Sequence, residues 1–463
     1  MDDFDYVTAA DFPAIRRDYP IGQTFLRRFV GMSRDELRAL QESRFRLVLA
    51  RAWQVPFYRR MWTAAGLGEG DVRSLDDITR LPVYSKSDLM GSVEAHPPLG
   101  DFHGADSIGA SRSAQIILQT TSGTTGRPQP LLYGPKSREI QNALLARVYR
   151  LQGMQRQDVV HSVYGFGMVN GGHYVRETVL HWIGALFLSA GTGVETRSVQ
   201  QVMLMRDFGA TALVGFGDFM KRLAEVALEN GIEPGRDIKL RMITGHLGAD
   251  GGAAISNAWG GCAAYDWYGV GDTGVIAGEG PDQAGMYVME DAQFLELVDE
   301  HGQPVDAGKP GDMVCTCLFK DDIFPIIRFN THDVTEEVRG TSALGLPFRR
   351  ILGFRGRSDN MIKLRGINIF PTGIGAILAA ERPEFAGEFV CEVQRSGTRD
   401  EMTVRAEVRC VPSDALRVEY EKLLRARLGV DLTVLLETVG NLSALTGIET
   451  KQKPIRLIDK RNG

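Results

Sequence analysis

The chain has 463 residues, 43% of them hydrophobic and 24% charged, which is too long for one compact core and ordinary for a soluble protein of two or three domains. Its 53 Lys and Arg against 58 Asp and Glu leave a net charge of −5, which argues against nucleic acid as the main partner. Its 5 cysteines show no Cys-x-x-Cys spacing, so a zinc site is not expected, and so few of them fit a reducing cytoplasm.

The N-terminus, Met1-Asp2-Asp3-Phe4-Asp5, is acidic and lacks a signal-peptide pattern, so a cytoplasmic protein is expected. The first hundred residues read as helical. Ser33-Arg34-Asp35-Glu36 is a capping box, with Leu37, Leu40, Leu47 and Val48 following at helical spacing. Ser74 with Asp77 and Ser85 with Asp88 repeat the cap in short form, and Pro56 and Pro82 punctuate these helices.

Next comes Ile116-Ile117-Leu118-Gln119-Thr120-Thr121-Ser122-Gly123-Thr124-Thr125-Gly126-Arg127-Pro128, then the apolar Leu131-Leu132-Tyr133. Backbone N–H groups and hydroxyls in such a loop suit phosphate oxygens, and glycine permits close approach. It is not a Walker loop, because no Gly-Lys-Ser/Thr closes it. A polar hairpin turn is the simpler alternative.

From about residue 115, short apolar runs alternate with amphipathic ones. Asp158-Val159-Val160, Ala212-Leu213-Val214-Gly215 and Arg241-Met242-Ile243-Thr244-Gly245 read as buried strands, the last two ending in glycine loops. The alternation implies an α/β sheet, with ligands expected beyond the strand C-termini. The apolar stretch 178–190, interrupted by His181, is too short to span a bilayer.

Tyr265-Asp266-Trp267-Tyr268-Gly269-Val270-Gly271-Asp272-Thr273-Gly274 could stack a base and place Asp272 as a magnesium ligand, or could be an aromatic turn with a solvated Asp. Cys315 and Cys317 would share one packed face of a strand. In Pro325-Ile326-Ile327-Arg328-Phe329-Asn330-Thr331-His332-Asp333, the Asp could accept two ribose hydroxyls or serve as a turn residue. A composition shift at Arg355-Gly356-Arg357-Ser358-Asp359-Asn360 marks a domain boundary near Asp359. Beyond it, Phe389–Val393 and Met402–Val408 alternate as antiparallel strands. The chain closes on a basic tail, Lys451-Gln452-Lys453-Pro454-Ile455-Arg456 and onward.

Together and in this order, these segments resemble the adenylate-forming ligase superfamily, and in particular its phenylacetate–CoA ligase branch. The resemblance covers nearly the whole chain, including Val55-Pro56-Phe57-Tyr58-Arg59-Arg60. It implies an α/β fold with a large N-terminal domain (1–357) of mixed sheets and flanking helices, and a small mobile α+β C-terminal domain (358–463). It also implies site roles. Thr121, Ser122, Gly123, Thr124, Thr125 and Gly126 would cradle ATP phosphates, while Tyr268 and Gly269 would lie on adenine and Asp266 would reach its amine. Asp333 would hold the ribose with help from Arg357. Asp272 would hold Mg²⁺, Asp359 would be the hinge, and Lys453 the catalytic lysine with Lys451 as competitor. The acyl pocket would draw on Tyr164, Phe166, Gly167, Asn170, His173, Gly245 and His246.

The implied chemistry is attack of a carboxylate on the α-phosphorus of ATP, followed by transfer of the acyl group to the thiol of CoA. An amine or a carrier-protein thiol is the alternative acceptor, and a non-catalytic nucleotide sensor is the reading of another class. A dinucleotide oxidoreductase lacks its Gly-x-Gly-x-x-Gly segment. A homodimer is expected, with no nucleic-acid or membrane partner.

Three departures from the branch stand out. Gln129 occupies a position where much of the superfamily has lysine. Asp272 is one methylene shorter than the usual Glu. Thr244-Gly245-His246-Leu247-Gly248 replaces a Gly-Ala-Glu-Pro-like loop. His246 is then either a pocket residue or a neutral hydrogen-bonded histidine, while Asn170 and His173, standing where apolar or small residues are usual, point to an aryl acid bearing a hydroxyl or amino group, or else to structural partners for both.

Overall fold

The computed structural model describes residues 5–104, 117–121, 128–247, 252–360, 362–365, 367–396, 399–448, 450–451 and 454–461. Two compact units are present, each assembled from separated segments. The first comprises Met1–Asp158, Phe166–Phe187 and Trp267–Gly353, and the second Val159–Gly165, Leu188–Asp266 and Phe354–Gly463. The second unit holds the whole of 358–463 together with two earlier segments.

In the first unit, the Ser33/Glu36 capping box closes as the sequence suggests and starts the helix Arg34–Trp53. Its buried stripe is Leu37, Gln41, Arg44, Phe45, Val48, Leu49 and Ala52. Leu47 is 60% exposed and takes no part in that stripe, while Arg44 and Gln41 are buried because each donates to a backbone carbonyl of Asp291 or Glu290. Hence the periodicity of apolar residues alone misassigns three positions on this helix, Gln41, Arg44 and Leu47.

Ile117–Thr120 pairs antiparallel with Pro130–Tyr133, so the hydroxyl-rich loop links the two strands of a hairpin. The helix Pro135–Leu151 follows at once, with Pro at its start, where the missing N–H costs nothing. A sheet of Gln293–Val298, Gly311–Cys317 and Phe329–Thr335 is antiparallel, with Tyr84–Ser85 added in parallel to the last strand. Cys315 and Cys317 lie on one strand and are both fully buried. The stretch 178–190 divides into a π-helical turn, Thr178–Ile183, and a strand, Leu186–Ser189, with Gly184 between them at φ 73°. No helix among the described residues is long and apolar enough to cross a membrane.

In the second unit, the expected strands Val159–Ser162, Ala212–Phe216 and Met242–His246 are parallel neighbours, and the first half of Ala263–Val270 joins in parallel register. The second half of that strand pairs antiparallel with Gly274–Glu279. The helix Gly217–Glu229 follows directly on Ala212–Phe216 and buries Phe219, Met220 and Leu223. Residues beyond 360 have a core of their own, including Ile374, Leu378, Val393, Val404 and Tyr420. Phe385–Ser396 and Arg399–Val408 form the expected antiparallel pair, flanked in parallel by Leu457–Asp459 and Thr433–Thr438.

The first unit contains a fully buried ion pair between Arg147 and Asp291, with N–O distances of 2.6 and 3.1 Å. The guanidinium also donates to the Pro20 carbonyl at 3.0 Å and lies 4.6 Å from the Phe25 ring centre. Removing Arg147 leaves Asp291 in a dry core with only the longer contact to Arg44 at 3.4 Å. Replacing Arg147 by Met is therefore expected to destabilise the protein by about 3–5 kcal/mol, read as a fall in the urea midpoint.

Candidate active site

In the first unit, Thr121, Gln129 and Asp272 lie beside strand ends, Tyr268 and Asp333 lie within strands, and Asn170 and His173 lie on a helix. Thr121 leads into the hydroxyl-rich loop. Its backbone N–H donates to the Gln129 carbonyl at 3.1 Å, and its hydroxyl accepts from the Gln129 N–H at 3.2 Å. Ser122, Gly123, Thr124, Thr125 and Gly126 lie outside the described residues, as does Lys453.

Gln129 then reaches across to Asp272, its Nε2 donating to Oδ1 at 2.6 Å. Asp272 is only 4% exposed. Burial pushes its carboxyl above the usual range, against the pull of Gln129 and Lys320. Lys320, itself fully buried, donates to the Asp272 backbone carbonyl at 2.8 Å and lies 4.5 Å from the Phe324 ring centre. Tyr133 donates to the Gly271 carbonyl at 2.7 Å. Three side chains therefore fix the segment that carries Asp272.

The residues here suit a magnesium ion. Gln129 Oε1 is buried and has no hydrogen-bond partner among the described residues, and it belongs to the same amide that grips Asp272. Hard oxygens from one carboxylate and one amide, with phosphates supplying the rest, match what Mg²⁺ takes. Among the described residues no group of three or more His, Cys, Asp or Glu could hold a metal, so a protein-only metal cage is not built there.

Tyr268 and Asp333 meet, the phenol donating to Oδ2 at 2.7 Å with both residues buried. Asp333 receives a further constraint from its own N–H, which donates to the Thr331 hydroxyl at 3.1 Å. Gly269 is required where it stands, because a Cβ there would lie 2.4 Å from the Gly274 carbonyl oxygen. On the 166–173 segment, His173 Nε2 is 2.9 Å from the Gly167 carbonyl, and its ring stands edge-on to Phe166 at 5.6 Å. Asn170 is buried, and its Oδ1 accepts from Arg138 at 2.5 Å. Both polar residues of that segment thus have structural partners.

The second unit places Tyr164, Phe216 and His246 in one aromatic cluster, at ring distances of 5.0 Å, 5.1 Å and 6.1 Å. Tyr164 is 2% exposed and donates to the Gly215 carbonyl at 3.1 Å. The parallel strands approach so closely here that a Cβ on Gly245 would sit 1.8 Å from the Gly215 carbonyl oxygen. Asp266 accepts from the Leu247 N–H at 3.3 Å, which ties it to the His246 loop. Arg357 forms a two-point ion pair with Asp359 at 2.8 and 2.6 Å, so the proposed ribose helper and hinge residue bind each other. Lys451 is exposed, and its N–H donates to the Gly447 carbonyl at 2.8 Å.

Sequence reasoning missed Phe216, Lys320 and Arg138. Phe216 was within reach, since an aromatic flanked by Gly215 and Gly217 ends a buried strand. Lys320 carried no local signal.

A family model for the C-terminal domain of AMP-binding enzymes matches residues 366–461. The phenylacetate-coenzyme A ligase of Thermus thermophilus is 30% identical over 399 residues, covering 81% of this chain and 82% of that one. The enzyme of the same name from Aromatoleum evansii is 28% identical over 445 residues, covering 93% and 96%. Among solved structures, 2-hydroxyisobutyryl-CoA ligase bound to 2-HIB-AMP superposes with a TM-score of 0.83 at 27% identity, over 94% of this chain and 92% of that one. A second structure of that ligase, holding 2-HIB-AMP and CoA, matches with a TM-score of 0.66 at 28% identity, over the same shares of the two chains, 94% and 92%. The fold and these matches define an AMP-forming acid–thiol ligase of the adenylate-forming class. Within that class, the chain belongs to the phenylacetate–coenzyme A ligase family.

Asp272→Ala is expected to slow adenylation by about 100-fold or more, the scale of losing a positioned group that faces developing charge. Gln129→Leu should raise the Mg²⁺ needed for half-maximal rate by about 10–100-fold, as partners of metal ligands do. Steady-state rates across a magnesium titration check both.

Proposed function

We propose that this protein uses Mg·ATP to convert an aryl or arylacetic acid into its acyl-adenylate and then passes the acyl group to CoA. In the first step a carboxylate oxygen attacks the α-phosphorus, and the bond from phosphorus to the pyrophosphate oxygen breaks. In the second step the thiol sulfur, having given up its proton, attacks the acyl carbon, and AMP leaves with the electrons of the C–O bond.

The observation that carries this reading is the Thr121–Gln129–Asp272 chain of hydrogen bonds, buried at its Gln129–Asp272 end, which joins the edge of the hydroxyl-rich loop to the acidic residue. Such pre-set polar groups cost no reorganisation when charge develops on the phosphoryl oxygens. Bound Mg²⁺ would supply that positive charge, held by Asp272 and Gln129. Tyr268 and Asp333 support a nucleoside site, because one presents a flat ring and the other a carboxylate suited to two hydroxyls. Lys453 is our choice for the second cation on sequence grounds alone. The two-point Arg357–Asp359 pair supports the assignment of a hinge there. A homodimer remains our expectation from the family resemblance.

For the acid, the Tyr164–Phe216–His246 cluster supports a flat ring, since aromatic edges and faces pack at these distances. His246 gives that cluster a polar edge suited to a hydroxyl or amino substituent on the ring.

The test is mass spectrometry of products from protein, Mg·ATP, CoA and a panel of aryl acids. AMP with an acyl-CoA is the expected result. AMP or a trapped adenylate without acyl-CoA would move the acceptor to an amine or a carrier protein, and no ATP consumption with any acid would favour a nucleotide sensor. Within the panel, hydroxy- and amino-aryl acids should exceed phenylacetate in kcat/KM by about tenfold, the worth of one hydrogen bond. His246→Leu should erase that margin, and a wild-type preference for phenylacetate itself would end the substituent hypothesis.

A further inference from the structure

We propose that Asp218 and Arg456 form a positioning latch for the adenylation half-reaction, fastening the C-terminal tail to the helix that follows the Phe216 strand. The latch rests on the ligase reading above and lies wholly within the second compact unit.

Arg456 is tightly specified. Its side chain is 10% exposed. Nη2 donates to Asp218 at 2.5 Å and to Glu388 at 3.2 Å, and Nη1 to Glu388 at 2.9 Å and to the Phe389 carbonyl at 2.7 Å. The guanidinium stands 4.7 Å from the Phe389 ring centre. The main chain is held as well. The Arg456 carbonyl accepts from the Cys391 N–H at 3.0 Å, and the Ile455 N–H donates to the Thr446 carbonyl at 2.9 Å.

The two carboxylates do different work. Glu388, 9% exposed at its side chain, belongs to the same C-terminal core as Arg456 and closes a local pair with it. Asp218 comes from the first turn of Gly217–Glu229, two residues after Phe216. The fork of a guanidinium lets it bind both at once, which a lysine could not do in this geometry. Burial works to raise the Asp218 carboxyl, but Arg456 and Lys221 outweigh it and bring the group down to about 2. An Asp in a first turn is usually explained by the helix dipole alone. Here it faces a buried guanidinium that already has one partner, so the fold does not need it for charge balance.

Arg456 is three residues past Lys453 in the sequence, a span of roughly 10 Å at most for extended chain. Fixing Arg456 against the helix that carries Asp218 therefore fixes where a cation at 453 can reach. That placement matters while pyrophosphate leaves, when charge gathers on the phosphoryl oxygens. It matters little once the adenylate exists and a thiol attacks carbon. A contact useful in only one of two transition states should show its effect in only one half-reaction.

The test compares wild type, Asp218→Asn and Asp218→Glu in each half-reaction, the first as acid-dependent formation of acyl-adenylate and the second as CoA thioester from preformed acyl-adenylate. Asn is expected to slow the first at least tenfold and the second less than twofold, with Glu restoring most of the first. Equal losses in both halves, together with a lowered Tm, would mean a purely structural contact and overturn the latch, as would no loss in either. Amide hydrogen exchange over 454–461 needs no substrate. It should rise in Asp218→Asn, and unchanged exchange would also overturn the latch. Failure of the wild type to adenylate any acid would instead overturn the ligase reading, while the exchange result still decides whether Asp218 holds the tail.

Discussion

The first unit is organised around charges that have no water to solvate them. The helix Pro135–Leu151 is buried along nearly its whole length, and it carries Arg138, Glu139 and Arg147. Each must find a partner inside the protein, because an unpaired buried charge costs several kcal/mol. Arg138 takes Glu177 and Asn170, and Arg147 takes Asp291. Glu139 accepts from Tyr6, His181 and the Trp182 indole. The partners come from the N-terminal helix, the 170–182 segment and the loop at 291, so one helix dictates where three distant stretches of chain can sit. Tyr174 extends this control, since its hydroxyl donates to the Gln141 carbonyl and accepts from the Val275 N–H. Candidate residues on the 166–173 segment and the strand after Asp272 are thus held by the same support.

What the sequence made legible follows from the range over which the information is encoded. A capping box needs four residues, and the Ser33/Glu36 box was readable for that reason. The parallel strands at 159, 212 and 242 and the antiparallel pair beyond 385 are also local patterns of apolar residues. The pairings that build the site are not local. Tyr268 meets Asp333, Gln129 meets Asp272, and Lys320 meets the Asp272 carbonyl, all across separations that no window of sequence spans. Asn170 was readable as an oddity in a glycine–aromatic run, but its partner Arg138 was not. Leu47 failed for the opposite reason, because helical spacing ranks it with the core while buried Arg44 and Gln41 take the inward face through backbone contacts made far along the chain.

Two departures from the family pattern become one arrangement when their geometry is considered together. Asp272 is shorter than Glu by one methylene, and Gln129 lacks the charge of lysine. Yet Gln129 reaches Asp272 directly, and the same residue grips Thr121 through its main chain. A lysine at 129 would compete with a metal for the carboxylate. A glutamine can orient the carboxylate with its N–H and still offer an oxygen. The positive charge that lysine would have brought is present nearby as Lys320, but turned to the Asp272 main chain, where it fixes position without neutralising the side chain.

Fixed and adjustable charges therefore have separate places in this chain. Asp272 and Lys320 are buried and held in one geometry by the Gln129 amide and the Asp272 carbonyl. The Arg456 fork joins an inner carboxylate, Glu388, to an outer one, Asp218, whose side chain is 32% exposed. An exchange of the outer partner for water leaves the guanidinium its pair with Glu388. The inner pair would survive that exchange, since it shares its core with the strand on which Glu388 lies. A contact built in this asymmetric way can place the tail without being needed to fold it, and that distinguishes a latch from a rivet.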